Sequence, residues 1–167
     1  MNKIKTTNNK YRFKTTKWAL NIFPPLFFNR IKITYSSQDF KHLKVKIKYS
    51  WINKNIQNSI FGGTILSAID PYHAVMYWHI FKDMGCPMEV WVKKIEARYT
   101  KPAKSDLSLE FKLTDKEIQV AITALQKENR FEVWHNVDVF NETGEKCAES
   151  RILVFIRNSN NLKISHL

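Results

Sequence analysis

Two adjacent glycines, Gly62 and Gly63, open an apolar run in which Asp70 is the first acidic residue. Glycines at a helix start let a ligand approach bare backbone N–H groups, where the positive dipole end favours a developing oxyanion. A carboxylate inside so apolar a run is costly unless it is paired, protonated or used. These features predict acyl chemistry, in which a glycine N–H polarises a carbonyl and Asp70 acts as general base or nucleophile.

The spacing of these residues predicts a site shared between two subunits. Gly63 and Asp70 lie close to two helical turns apart, which places them on one face about 10 Å from each other. A carbonyl bound at the glycines therefore cannot also touch Asp70 of the same helix. A second, antiparallel helix would present its own Asp70 opposite the first helix's glycines. Burial in such a site should raise the pKa of Asp70.

Alternation and helical periodicity predict the elements that hold these residues. Residues 63–83 are apolar almost all round, which predicts a helix at the centre of the fold, kinked at Pro71. Thr114 and Glu117 form a capping-box pattern, which predicts a short surface helix after them. Strands are predicted over residues 31–35, 43–49, 88–100, 107–113, 131–140 and 146–157. The order predicts an α+β fold, in which an antiparallel sheet of about six strands wraps round one long central helix, with the short helix inserted between strands.

Two other interpretations of the central segment stay open. Asp70 could be the N-cap of a helix that begins at Pro71, in which case the acid is structural. His73, three residues after Asp70, could donate to its carboxylate as a dyad, or could be a buried core histidine. His73 and His79 are six residues apart and point to different helix faces, so no metal site is predicted.

The motif also resembles that of a known enzyme family. Asn55, Gly62-Gly63 and Asp70 lie at the spacing of N-x5-H-G-G-x6-D, the motif of hotdog-fold acyl-CoA thioesterases of the phenylacetate-pathway type. The segment from Tyr99 to Lys104, YTKPAK, is similar to that family's strand-end Y-x-x-P-A-K. The likeness runs over residues 31–157. It implies a hotdog fold, a homodimer or dimer of dimers, and CoA or another acyl carrier as substrate handle.

The resemblance also implies roles for single residues. By position, Asp70 matches the catalytic acid, Gly62 the oxyanion donor, and Asn55 a polar residue that helps to hold the acid or a water. Phe61 stands where the family has its histidine, and Val92 where a strand Ser or Thr often contacts the attacking water. The pattern F-G-G…D-P is similar to a branch classed as a domain of unknown function. These departures leave open a non-catalytic module that binds an acyl or other hydrophobic ligand.

Composition and charge bound the remaining possibilities. The 167 residues are 44% hydrophobic, as expected for one globular domain. The net charge of +12 lies almost wholly in residues 1–48, which carry +11. This basic N-terminal part could bind an anionic surface or a phosphorylated cofactor, or it could be a solvated lysine-rich face. No specific nucleic-acid binding is predicted. Cys86 and Cys147 are too few for a disulfide framework, which favours a cytoplasmic protein, and no run is long enough for a transmembrane segment.

The sequence predicts three parts: a basic, flexible tail over residues 1–17, a single domain over residues 18–157, and a polar tail over residues 158–167. Lys93, Lys101 and Lys104 lie where they could meet CoA phosphates or form a solvated strand face. No cofactor and no metal are predicted.

Overall fold

The computed structural model describes residues 9–159 and Ile164, with the backbone alone for residues 9–14. The strands are β1 (Ile31–Ser36), β2 (His42–Ile47), β3 (Glu89–Tyr99), β4 (Leu107–Lys112), β5 (Arg130–Asn141) and β6 (Lys146–Arg157). The helices are α1 (Asn9–Ile22), α2 (Pro24–Phe28), α3 (Gly62–Ile69), α4 (Pro71–Asp83) and α5 (Asp115–Glu128). All six predicted strands are present.

The strands form one antiparallel sheet in the order β1-β2-β4-β5-β6-β3. Strand β2 shows why the sheet has an inner and an outer side: Leu43, Val45 and Ile47 are buried, while Lys44 and Lys46 are exposed. Successive strand residues point to opposite faces, so the apolar set packs inward on the helices and the lysines face solvent. The predicted α+β architecture is confirmed.

The central helix of the fold is divided at Asp70. Asp70 has helical backbone angles (φ −55°, ψ −59°), and its N–H donates to the Leu66 carbonyl over 3.0 Å, so α3 leads directly into α4. Pro71 has no N–H to continue the pattern, which accounts for the division at the predicted kink. Asp70 occupies the cap position of α4, but its side chain makes no capping hydrogen bond. A helix does begin at Pro71 with Asp70 at its N-cap position, as that interpretation expects, but the carboxylate does not cap it and residues 64–69 are helical.

The central helix has one open side. The sheet covers the opposite side, where Tyr72, Met76 and Tyr77 are fully buried. Asp70 and Trp78 are exposed, in contrast to the burial on every side that the apolar composition predicts. The sheet can curve round only part of the helix, and the remaining face stays uncovered in a single chain.

Helix α1 overlaps the segment for which the sequence predicted a flexible tail. Residues 1–8 lie outside the described part of the chain, but from Asn9 the backbone is helical. The Asn21 side chain accepts from the Ile33 N–H (2.7 Å) and donates to the Ile33 carbonyl (3.3 Å), and Lys17 donates to the Thr34 carbonyl. The helix thus satisfies backbone groups at the edge of β1, which explains its order.

The other end of the chain is partly described. Ile164 is buried, and its carbonyl accepts from the Gln126 amide over 2.8 Å, so this residue of the predicted polar tail packs on α5. Residues 160–163 and 165–167 lie outside the described part. The predicted capping box of α5 is confirmed: Glu117 N–H donates to the Thr114 hydroxyl, and the Glu117 carboxylate accepts from the Thr114 N–H.

Candidate functional site

A cavity of about 360 Å³ lies at the N-terminus of α3. It brings together the two motifs that the sequence singles out, although they are separated by some forty positions. A backbone hydrogen bond joins the two segments, from the Ile60 N–H to the Ala103 carbonyl over 2.8 Å. The lining residues are Asn55, Gln57, Ser59, Ile60, Gly62, Ile65, Tyr99, Thr100, Lys101, Pro102 and Ala103.

Free backbone donors are present at this helix start. The N–H groups of Thr64 and Ile65 donate to the Phe61 carbonyl, at 2.9 and 3.3 Å. Among the described backbone hydrogen bonds, none uses the N–H of Gly62 or Gly63 as donor. Unpaired N–H groups at a helix N-terminus favour a negative charge, whether an anion or the oxyanion of a tetrahedral intermediate.

Tyr99, at the end of β3, positions the first residue of α3. Its hydroxyl donates to the Gly62 carbonyl over 2.9 Å, and a Cβ added at Gly62 would lie 3.1 Å from the ring. A side chain at position 62 would therefore crowd the Tyr99 ring. Sequence reasoning assigned Tyr99 no role of its own; its place at the start of the YTKPAK segment was the available signal.

Phe61 lies over Gly63. A Cβ added at Gly63 would lie 2.3 Å from Cε1 of the Phe61 ring, so the ring packs directly on the glycine. The ring is 59% exposed on its other side. Phe61 thus covers part of the helix start and, unlike the histidine of the resembling family, offers no hydrogen-bonding group.

Asp70 lies away from the cavity, on the open side of the central helix. Its side chain is exposed and makes no hydrogen bond or ion pair within the described part of the chain. Partial burial among neighbouring residues still raises the pKa of its carboxyl above the ordinary value. Gly62 and Asp70 of one chain do not share a site, in agreement with the distance along the helix.

His73 does not form a dyad with Asp70. The ring is buried and stacks on His135 with centroids 4.2 Å apart, and one ring nitrogen bonds the Lys112 backbone carbonyl. Burial, with His135 as a second cause, lowers the pKa of His73 to about 3. The prediction of a catalytic dyad is wrong, because the face of α4 that carries His73 packs on the sheet while Asp70 faces away.

Two asparagines hold the loop before α3. Asn55 lies at the cavity, but its Oδ1 accepts from the N–H groups of Gln57 and Ser59 and its amide donates to the Ser59 hydroxyl. These bonds stabilise its own turn, and none reaches Asp70. Asn53, which sequence reasoning did not select, is buried and donates to the carbonyls of Asn29 and Lys48.

Of the three lysines considered for CoA phosphates, only Lys101 lines the cavity. Its Nζ lies 2.5 Å from a carboxylate oxygen of Glu145, and this partner raises the pKa of Lys101. Lys93 pairs with Glu132 on the outer side of the sheet. Lys104 is exposed beside the cavity and makes no ion pair with a described residue.

Comparison with known protein families identifies the family to which this chain belongs. The model of the family described as domain of unknown function (DUF4442) matches residues 13–156. The chain belongs to this family. No curated protein matches the chain.

Solved structures resemble this DUF4442 chain over most of its length. A protein of unknown function from Pseudomonas aeruginosa, named a probable thioesterase, is 17% identical, with a TM-score of 0.73 over 87% of this chain and 95% of its own. A thioesterase from Haemophilus influenzae is 13% identical, with a TM-score of 0.64 over 92% and 94%. A hypothetical thioesterase from Streptococcus pneumoniae, solved with coenzyme A, is 15% identical, with a TM-score of 0.56 over 77% and 86%. The likeness confirms the hotdog fold.

Proposed function

We propose that this chain hydrolyses an acyl thioester of CoA or another acyl carrier at a site shared between two subunits. One observation carries the proposal: Gly62, whose N–H donates to none of the described backbone groups, lines a cavity, and an unpaired carboxylate, Asp70, lies about two turns along the same helix on its open side. The thioesterase from Haemophilus influenzae and the coenzyme A complex from Streptococcus pneumoniae, both of the same fold, support the choice of substrate class.

A two-fold pair of chains with antiparallel central helices would place Asp70 of one copy opposite Gly62 of the other. The Asp70 carboxylate accepts a proton from water, and the water oxygen bonds to the thioester carbon. The carbonyl oxygen becomes an oxyanion that accepts from the Gly62 N–H. The intermediate then collapses, the C–S bond breaks, and the leaving thiolate takes the proton that Asp70 accepted from water, which leaves the free acid and regenerates the carboxylate. The raised pKa of Asp70 makes it a stronger base than an ordinary aspartate.

Substitution of Asp70 tests the chemistry. Wild type and Asp70→Asn are assayed against short, long and aromatic acyl-CoAs, with Asp138→Asn on the outer side of the sheet as control. We expect wild type and the control to hydrolyse at least one class, and Asp70→Asn to be slower by about 100-fold or more, the usual worth of a general base. Equal rates in all three proteins, or no hydrolysis by wild type, would overturn the proposal.

Mixing two variants tests the shared site. Asp70→Asn lacks the base, and the side chain of Gly62→Val should block the approach of a carbonyl to the backbone N–H; each is first assayed alone to establish that it is inactive, and the two are then refolded together so that subunits exchange. In a mixed dimer one site keeps both the intact Gly62 and the intact Asp70, so activity should return to about a quarter of wild type at statistical mixing. Mixtures that stay inactive would contradict a composite site.

A non-catalytic module that binds an acyl or other hydrophobic ligand is the second candidate. The Phe61 ring packed on Gly63 favours it, because this ring replaces a histidine and narrows access to the N–H groups. Stabilisation of the fold by acyl-CoA or fatty acid without turnover would support this candidate over hydrolysis.

A further inference from the structure

Large apolar side chains of α1, α2 and the residue between them face solvent. They are Trp18, Ile22, Phe23, Phe27 and Phe28, each between 47% and 65% exposed. Trp18 and Ile22 lie one turn apart on α1, and the rings of Phe27 and Phe28 are 5.6 Å apart. Monomeric proteins rarely leave apolar surface of this extent uncovered, so it marks an interaction surface.

The loop between β2 and α3 adds further exposed apolar residues at the same end of the molecule. Trp51 is 80% exposed, and Ile52 and Ile56 are also open to solvent. Asn53 joins this loop to the end of α2, because its amide donates to the Asn29 carbonyl over 3.0 Å. We call the combined surface the apolar end; it comprises Trp18, Ile22, Phe23, Phe27, Phe28, Trp51, Ile52 and Ile56.

Cations border the apolar end. Arg30 follows α2 after a single residue, and its carbonyl accepts from the Lys48 N–H over 3.0 Å. Arg30, Lys48 and Lys32 line a cleft of about 270 Å³ whose one acidic residue is Asp106. The Lys46 Nζ forms an ion pair with the Asp106 carboxylate over 2.8 Å. Arg30, Lys32 and Lys48 make no ion pair within the described part of the chain.

We propose that the apolar end docks on the headgroup region of an anionic phospholipid bilayer. Tryptophan and phenylalanine rings enter the interface between headgroups and acyl chains, and lysine and arginine beside them meet the lipid phosphates. Among the described residues no helix is long and apolar enough to cross a bilayer. In this proposal the chain contacts the bilayer through the apolar end.

Charge and chemistry favour a bilayer over other partners. A second copy seated on the same surface would bring the unpaired Arg30, Lys32 and Lys48 of both copies towards one another, and like charges oppose that contact. A nucleic acid would use the cations and could stack on the aromatic rings, but it would leave the aliphatic Ile22, Ile52 and Ile56 in water. An anionic bilayer satisfies both the apolar and the basic groups.

The cavity opens at this same end of the fold. Thr64, next to Gly63, donates to the Asn29 side chain over 2.8 Å, so the last turn of α2 lies beside the helix start. Docking would hold the cavity close to the bilayer surface. The inference does not depend on hydrolysis and is tested without substrate.

Vesicle flotation tests the proposal with the full chain. Vesicles of phosphatidylcholine, alone or with about 30% phosphatidylglycerol, supply the two surfaces. The variants are Phe27→Ser/Phe28→Ser and Arg30→Gln/Lys48→Gln. Val120→Ser is the control, because Val120 on α5 is 51% exposed but lies far from the apolar end. Helix α5 follows β4, which ends at Lys112 beside His42, at the opposite end of β2 from Ile47. Circular dichroism confirms that each variant is folded.

We expect wild type and Val120→Ser to float with anionic vesicles and less with neutral ones. The bound fraction should fall about tenfold or more in Phe27→Ser/Phe28→Ser, because interfacial anchors are lost. Arg30→Gln/Lys48→Gln should lose its preference for anionic vesicles. Wild type that stays unbound, or a serine variant that floats like wild type, would overturn the proposal. A third result would also overturn it: wild type fails to bind vesicles and sediments as an oligomer, and Phe27→Ser/Phe28→Ser sediments as a smaller species. In that case a second copy of the chain covers the apolar end.

Discussion

The Tyr99 hydroxyl donates to the Gly62 carbonyl over 2.9 Å and so ties the end of β3 to the first residue of α3. The Gly62 carbonyl belongs to the same peptide unit as the Gly63 N–H, which donates to none of the described backbone groups. The orientation of the Gly62–Gly63 peptide is therefore held by a strand residue 37 positions later in the chain. An N–H that is held in place before a ligand arrives meets the condition for efficient stabilisation of an oxyanion.

Replacing Tyr99 by phenylalanine should affect both stability and catalysis. Loss of one partly exposed hydrogen bond should lower the free energy of unfolding by about 1 kcal/mol. Thioester hydrolysis should lose several-fold in kcat with little change in KM, because the Gly62–Gly63 peptide, which carries the Gly63 N–H, is less well oriented in the transition state. Urea unfolding and steady-state kinetics measure the two effects. Tyr35→Phe, at a similarly exposed tyrosine on β1, is the control and should change neither.

The two glycines should respond differently to alanine. At position 63 the three atoms nearest the new Cβ all belong to the ring of Phe61, a residue that is 59% exposed and can turn away. Alanine also loses less backbone entropy than glycine on folding, so Gly63→Ala should be neutral or stabilising. At position 62 the Cβ crowds Tyr99, so Gly62→Ala should be less stable than Gly63→Ala. Urea unfolding of both variants, in the wild-type and Phe61→Ala backgrounds, measures their relative stability. A lower urea midpoint for Gly63→Ala than for Gly62→Ala would contradict the prediction.

Local patterns in the sequence predicted most of the fold. Strand β2 alternates without interruption, and its burial follows that alternation residue by residue. The capping box at Thr114 and Glu117 is an equally local signal, and both of its hydrogen bonds are present. In each case the information lies within a few neighbouring residues, so short-range physics is sufficient to predict the element.

Contacts between distant segments could not be predicted in this way. Asp70 and His73 lie on one apolar run, and only the curvature of the sheet decides that one is exposed and the other buried. Helix α1 has no clear apolar period, and its order depends on Asn21, which hydrogen-bonds the edge strand β1. The spacing of Asn55 from the glycines drew attention to that residue, whereas the buried anchor of the loop is Asn53.

Asn53 should therefore matter more for stability than Asn55. Asn53→Ala removes the partners of two backbone carbonyls, those of Asn29 and Lys48, at a site that is only 3% exposed. Unpaired buried acceptors cost roughly 1–3 kcal/mol each, so a loss of about 3 kcal/mol is expected. Asn55→Ala is the matched control and should lose about 1 kcal/mol, because its bonds close a single turn near the surface. Equal losses in urea unfolding would contradict this assignment.

The buried histidine pair should make the fold sensitive to mild acid. Burial lowers the pKa of His73 to about 3, and it also lowers the pKa of His135. The His73 ring is then neutral in the folded chain near pH 6, while an unfolded histidine takes up a proton near its ordinary pKa of about 6.5. The unfolded state binds more protons, so this stability is fully present above about pH 6.5 and is lost as the pH falls towards 3.

His73 should contribute a slope of up to about 1.4 kcal/mol per pH unit below pH 6.5, and His135 adds to it in the same direction. His73→Gln has no proton to take up, so its free energy of unfolding should fall less steeply between pH 7 and pH 5 than that of wild type. Urea unfolding at several pH values measures the two slopes. If His73→Gln and wild type fall in parallel, the His73 ring is protonated in the folded chain and its stacking on His135 does not exclude the charge.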